Sequence, residues 1–204
     1  MSYTPFDEAW DQFYEDRYRR DVIEDFTTER LQSFYTRNPA IATNALQSHE
    51  EARNLLADGH PSASLVFAVS AIEQFLKVTL LRPVIYGLVH HEPLADVIVE
   101  FTLGQTGFDR YNKLLAGLFE KLAGIDITNV KRQSSSKKLL EEAAELQKLR
   151  NKIIHQGLPV SDVDAQVAIE TASAVSNEIL ERMLNALGLQ LDKIGRIVQH
   201  GAWV

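Results

Sequence analysis

The chain has 204 residues, a net charge of −7 and no cysteine, which excludes disulfides, thiolate metal sites and cysteine nucleophiles. Its 45% hydrophobic and 24% charged residues, with only 10 Gly and 6 Pro, describe a globular, mainly helical protein: one sizeable domain, or one domain with a helical extension. The negative balance argues against a broad electrostatic grip on nucleic acid, because nonspecific affinity comes mostly from neutralising phosphates, so any RNA contact must be local. Met1 to Trp10 lacks a basic region followed by an apolar run, and no uninterrupted apolar stretch reaches the roughly 18 residues of a membrane span. The expectation is a soluble, cytoplasmic protein with no membrane partner.

In chain order, Pro5 to Arg37 is dense in charge and aromatics, with Phe6, Trp10 and Phe13 and then Ile23, Phe26, Arg30 and Phe34 at helical spacing. It predicts a long amphipathic helix, an N-terminal extension over 1–37. Its aromatic stripe suits core or dimer surface better than base stacking. Asn38-Pro39 reads as a cap and first-turn pair opening a helix that ends at Asp58-Gly59. Ser62 to Leu81 is the most apolar helix and the expected centre of the core. Its polar exceptions Glu73 and Lys77 share one face, and Arg82-Pro83 is expected to end it.

Between Pro83 and Val130 the signals weaken, and the region reads as an insertion of two short helices, Pro93 to Leu103 and Phe108 to Leu122. Within it His90-His91-Glu92 is a poor metal site, since adjacent histidines seldom point at one centre and no third ligand has a suitable spacing. Ser134 to Ser136 cap a strong helix from Ser136 to Gln156, with Gly157 just past its end and Pro159 beyond. Ser161 to Asp164 opens a helix to Leu187, completing a bundle over 38–187, and 188–204 reads as a helical tail with a last short helix over Leu189 to Gln199.

The chemistry concentrates near Gly157. Leu146, Leu149 and Ile153 form one stripe that faces the core, and at about 100° per residue His155 points away from it. Asn151 and Lys148 share the His155 face. Arg150 stands about 140° around from His155 and roughly 7.5 Å below it along the axis, so only the reach of Arg lets both converge on one phosphate. An imidazole that moves protons near neutral pH beside a guanidinium that grips phosphate is a workable RNA-cleaving pair without a metal, and the negative end of the helix dipole favours protonated His155. A polar helix end closed by a histidine would look the same, so the spacing alone is weak.

The segment LRNKIIHQG, Leu149 to Gly157, resembles the RxxxxH signature of HEPN domains (higher eukaryotes and prokaryotes nucleotide-binding), including the polar Asn151 after Arg150. A second stretch, EARNLLADGHPSASLVFAVSAIEQFLKVTLL, ending at Leu81, looks like the family's first helical hairpin, and the two together span about 40 residues. Departures are His60, where an aromatic is common, and the N-terminal helix and 83–130 insertion, which lie outside the simple pattern. The resemblance implies an all-α, HEPN-like antiparallel helical bundle that forms a homodimer with the RxxxxH helices close together. In many members it implies a metal-independent endoribonuclease acting as a toxin or antiviral defence effector, sometimes with an antitoxin partner; other members are non-catalytic nucleotide- or partner-binding modules.

Carried over by position, Arg150 and His155 are the catalytic pair, Asn151 orients the site, and Glu73 matches the family's acidic position and holds Arg150; an ordinary Glu73 to Lys77 helix pair is the alternative for Glu73. Lys131, Arg132, Lys137 and Lys138 form a basic cluster before the RxxxxH helix, readable as RNA contacts or as a solvated loop. Lys148 and Lys152 are further candidate RNA contacts. No metal and no cofactor are expected, and the serines lack the arrangement of a hydrolase triad.

Overall fold

The structure is a computed structural model that describes residues 28–88, 116, 119–120 and 124–201. Helix α1 covers 28–37, α2 Thr43–Ala57 and α3 Pro61–Gln74. α3 continues without a break through a π-helical segment, Phe75–Leu81, into α4, Arg82–Leu88. α5 is Leu139–Gln156 and α6 Asp162–Val175, which runs through a second π-helical segment, Ser176–Glu181, into α7, Arg182–Ala186. Strands β1, Leu189–Leu191, and β2, Ile197–Gln199, close the described chain as an antiparallel hairpin. Among the described residues the fold is mostly helical, with this one small sheet.

The turns follow from sequence chemistry. Gly59, at φ +79°, closes α2: its N–H bonds the Leu56 carbonyl and that of His60 the Leu55 carbonyl, a Schellman ending, after which Pro61 starts α3. Gly157, at φ +64°, ends α5, and Ser161 and Asp164 cap α6 reciprocally; the hydroxyl of Ser161 and its N–H hold the Asp164 carboxyl below its usual range. Such short connections make α2/α3 and α5/α6 antiparallel pairs.

α3 is the centre. Leu65, Ala68, Val69, Ala71 and Ile72 are buried, followed by Phe75, Leu76 and Leu80, and α3 packs on α2, α5 and α6. Ala52, Ala68, Ala71, Ala165, Ala168 and Ala172, all fully buried, let the helices approach closely. Ser64 donates across the hairpin to the Ala52 carbonyl at 2.7 Å. Pro61–Leu80 is long and apolar enough to cross a membrane, yet 56% of that window is buried inside the fold, as a core helix requires. Phe67, in the same apolar run, turns outward at 40% exposure.

Several expectations need correction. α2 begins at Thr43, not at Pro39, because Asn38 caps the preceding helix instead: its side-chain amide donates to the Phe34 carbonyl at 2.9 Å, while the Pro39 carbonyl accepts from Ile197 of β2. α5 begins at Leu139, not at Ser136, because the serines are used elsewhere: Ser135 donates to the Glu142 carboxylate and Ser134 meets Arg132. The expected helix over Leu189 to Gln199 is the β hairpin, where Leu189 and Ile197 face inward across a turn held by Asp192, which accepts from the N–H groups of Ile194 and Arg196. Gly195 in that turn, at φ +78°, lies against Leu46 of α2, so a side chain there would be strained and would push the end of Leu46 aside.

The boundaries shift as well. Residues 28–37 are no separate extension: Leu31 and Tyr35 are fully buried in the common core, and Gln32 donates to the Leu187 carbonyl at 2.7 Å. From the 83–130 insertion, Ile85, Phe119, Ile125 and Ile127 join the same core. Most of the two helices expected there, His90-His91-Glu92 and the stripe of Phe6, Trp10 and Phe13 lie outside the described residues.

Helix α4 passes through Pro83, which was expected to stop it. Proline has no N–H, so in an α-helix the carbonyl four residues back, that of Thr79, would lose its partner. Tyr35 supplies one: its fully buried hydroxyl donates to the Thr79 carbonyl at 2.7 Å, and burial pushes its phenol well above the usual range. The π-helical turn before Pro83 relaxes the ladder, with the Arg82 N–H bonding Lys77 five residues back. Tyr35→Phe keeps the ring and orphans a buried carbonyl, so it should lower unfolding free energy by about 1–3 kcal/mol in urea titration, against little change if the hydroxyl were incidental.

Candidate active site

α5 presents two faces, as its periodicity requires. Leu146 is buried and Leu149 and Ile153 pack against the core, while Lys148, Asn151, Lys152 and His155 are exposed together on the other side. His155 stands in the last turn of the helix. Arg150 lies between the faces and reaches across to α3: its Nη2 donates to Glu73 Oε1 at 2.6 Å, joining residues 77 apart in sequence. The two side chains are 22% and 19% exposed, so the pair is partly desolvated. Glu73 thus has partners across the helix interface and not merely a neighbour on its own helix.

The same oxygen accepts a second bond, from Gln147 Nε2 at 2.7 Å. Gln147 was not among the residues singled out from sequence; the signal was its place three residues before Arg150, which puts both on one helical face. Arg150 Nε is buried without a hydrogen-bond partner, alone in this among the described side chains. A guanidinium tethered to a carboxylate through one nitrogen keeps its other terminal nitrogen for a further acceptor; the exposed imidazole of His155 lies about one and a half turns further along the helix and about 140° around it, on the other face.

The basic cluster is not part of this constellation. Lys138 is the N-cap residue of α5 and His155 lies in its last turn, about 25 Å away at 1.5 Å per residue. Arg132 is engaged in a largely buried network, its Nε 2.9 Å from Glu142 and its Nη1 2.7 Å from Glu170, with Ser135 completing the Glu142 carboxylate. Lys137 pairs with Glu145 at 2.6 Å, and that hydrogen bond raises its pKa. Lys131 is exposed. Of the candidate RNA contacts, Lys148 and Lys152 share the His155 surface and the other four sit at the far end of the helix.

Two clefts are distinct from the motif. One of about 450 Å³ lies beside the Arg132 network, and one of about 700 Å³ lies between α2, the second π-helical segment and the hairpin turn; neither is lined by Arg150 or His155. The larger contains His49 beside Ser173, with Nε2 3.0 Å from the hydroxyl and 3.3 Å from the Ile169 carbonyl. Ser173 gives its own proton to that carbonyl at 3.1 Å, so His49 Nε2 carries a hydrogen and donates. The pair is a core hydrogen-bond network, not an activated nucleophile, and desolvation followed by Arg53 holds His49 below its usual pKa, toward the neutral form.

No protein-family profile, curated protein or solved structure matches the chain.

The Arg132 network separates structure from RNA contact experimentally. Arg132→Ala leaves the Glu142 carboxylate, 7% exposed, without its counter-ion and should lower stability by about 3–5 kcal/mol in urea titration, whereas Lys131→Ala should change it little. Unchanged stability in Arg132→Ala would remove the network from the fold and return the arginine to the surface cations.

Proposed function

We propose that the chain is a HEPN-like, metal-independent endoribonuclease that cleaves RNA by attack of the 2′-hydroxyl on the adjacent phosphate, as a cytoplasmic toxin or defence effector. The observation that carries this reading is the bond between Glu73 and Arg150, which ties the acidic residue of the apolar hairpin to the arginine of the RxxxxH segment. In the proposed reaction Arg150 grips the non-bridging oxygens and stabilises charge on the pentavalent centre, Asn151 orients the phosphate, and Lys148 and Lys152 lend it positive charge. The 2′-oxygen forms its bond to phosphorus and loses its proton to a base while the 5′-oxygen leaves and takes a proton from an acid. The products are a 2′,3′-cyclic phosphate and a 5′-hydroxyl.

One histidine cannot be base and acid at the same instant, and a single arginine with a single histidine is a thin site for RNA. A two-fold homodimer with its RxxxxH segments face to face answers both needs with a second Arg150 and His155. Ile154, Leu158 and Val163, at 51%, 38% and 72% exposure around the turn from α5 to α6, supply apolar surface beside His155 for such pairing. A protein antitoxin is the further partner this class of activity calls for. The second reading, a non-catalytic HEPN-like module that binds a nucleotide or partner chain, is favoured by the Glu73 carboxylate, which neutralises the one arginine of the site in a chain of net charge −7.

The decisive experiment incubates purified chain with single-stranded RNA. Cleavage with 2′,3′-cyclic phosphate ends should persist in excess EDTA, fall at least about a hundredfold in His155→Ala with an unchanged melting temperature, and be severely reduced in Arg150→Lys, which cannot form the guanidinium fork. Retained cleavage in His155→Ala would sink the reading, as would activity lost to chelator and restored by a divalent ion. Binding without cleavage would select the second reading. Light scattering at micromolar concentration should give twice the chain mass, and a fully active monomer would remove the shared site.

A further inference from the structure

We propose that Gln147 is a positioning residue for Arg150, acting by clamping the Glu73 carboxylate; the inference rests on the catalytic reading of Arg150. Arg150 and Gln147 leave α5 from one face and converge on a single oxygen of Glu73, at 2.6 and 2.7 Å. An arginine and a carboxylate left to themselves favour a bidentate pairing, two parallel N–H to oxygen bonds. Here that pairing would turn the second carboxylate oxygen toward Nε. It is not made, and Nε stays buried without a partner.

That orphan is informative because a buried unpaired donor is costly, about 1–3 kcal/mol, and a freely turning carboxylate would remove the cost. Something holds Glu73 in its end-on orientation, and the other donor on Oε1 is Gln147. The consequence for chemistry is direct. Nε is buried and closed to a substrate, so the donors left for a phosphate are on the terminal nitrogens; a carboxylate free to turn side-on would rotate the guanidinium and those donors with it, whereas the end-on tether fixes them. Gln147 therefore keeps Glu73 a fixed support that holds the terminal nitrogens of Arg150 in one orientation toward the substrate phosphate.

The test uses the full chain labelled with ¹⁵N-arginine, with the Arg150 Nε–H resonance assigned by its loss in Arg150→Lys. In Gln147→Ala, and in the near-isosteric Gln147→Glu, which keeps the shape and removes the donor, Glu73 is released from end-on contact. In Gln147→Ala the Nε–H proton should move downfield as it gains the side-on bond; in Gln147→Glu the added negative charge should also displace it. In both, kcat for RNA cleavage should fall about tenfold while the melting temperature stays near that of the wild type. An unchanged Nε–H resonance in Gln147→Ala overturns the clamp, and a shifted resonance with unchanged kcat overturns its part in catalysis. If wild type and Arg150→Lys cleave equally, or neither cleaves, the catalytic reading of Arg150 fails, and the resonance still reports by itself whether Gln147 orients the pair.

Discussion

A carboxylate on the central helix of a bundle must be satisfied or displaced, and much of the candidate site follows from that constraint. α3 is buried along most of its circumference, and Glu73 interrupts the apolar surface at 19% exposure. An unpaired charge there would carry a penalty of several kcal/mol, so the helix packed against it must bring a cation and a further donor. α5 brings Arg150 and Gln147 from one face. The register of α5 against α3 is thereby pinned at one polar contact in an otherwise apolar interface, the kind of buried polar pairing that sets alignment at some expense of stability. With the register set, Leu146, Leu149 and Ile153 meet the core and His155 is carried outward.

A comparable constraint acts at the far end of the same long helix. Pro83 deletes a donor, the ladder widens into a π-helical turn, and the Thr79 carbonyl is met by a hydroxyl from α1. The two π-helical segments, Phe75–Leu81 and Ser176–Glu181, pack against each other, so the departures from α geometry fall in one layer of the bundle, which begins two residues after Glu73. Thr79 also donates through its own hydroxyl to the Ile41 carbonyl at 3.4 Å, which draws the turn between α1 and α2 into that layer. These polar contacts explain why 28–37 is inseparable from the core although its sequence resembles an appendage.

What could be read in the sequence was local. Gly59 and Gly157 ended their helices, Ser161 and Asp164 made a capping box, and the apolar repeat of Leu146, Leu149 and Ile153 identified the buried face of α5, because each of these depends on residues within a turn or two. What misled were residues with two possible partners, or with a partner that no local rule supplies. Asn38 read as the cap of the next helix but bonds the previous one; Pro83 read as a stop but is rescued by Tyr35, 48 positions earlier; Leu189 to Gln199 read as helical but pairs with itself as a hairpin, whose second strand also bonds the Pro39 carbonyl through Ile197. At the site, Arg150, His155 and Glu73 were legible as a pattern, Gln147 only as an unremarked neighbour, and the diversion of Arg132 into a network with Glu142 and Glu170 was not legible, since no spacing rule links a loop arginine to a glutamate 38 positions on.

The two ends of α5 are consequently unlike. At its start, Arg132 joins the loop, α5 and α6 through two carboxylates, and Leu139 bonds the Val130 carbonyl, so this end is fastened on several sides. At its middle, Glu73 fastens it to α3. Beyond Ile153 the side chains of Ile154, His155, Gln156 and Leu158 are all exposed, and the helix ends at a glycine. A helix anchored at its base and waist presents its last turn in a defined place while leaving it open to an approaching molecule. An enclosed pocket would fix a small substrate better but would exclude a phosphodiester chain. The open C-terminal turn of α5, with one tethered guanidinium below it and the exposed side chains of Ile154 and Leu158 beside it, is a surface and not a pocket, so whatever meets it must lie across it.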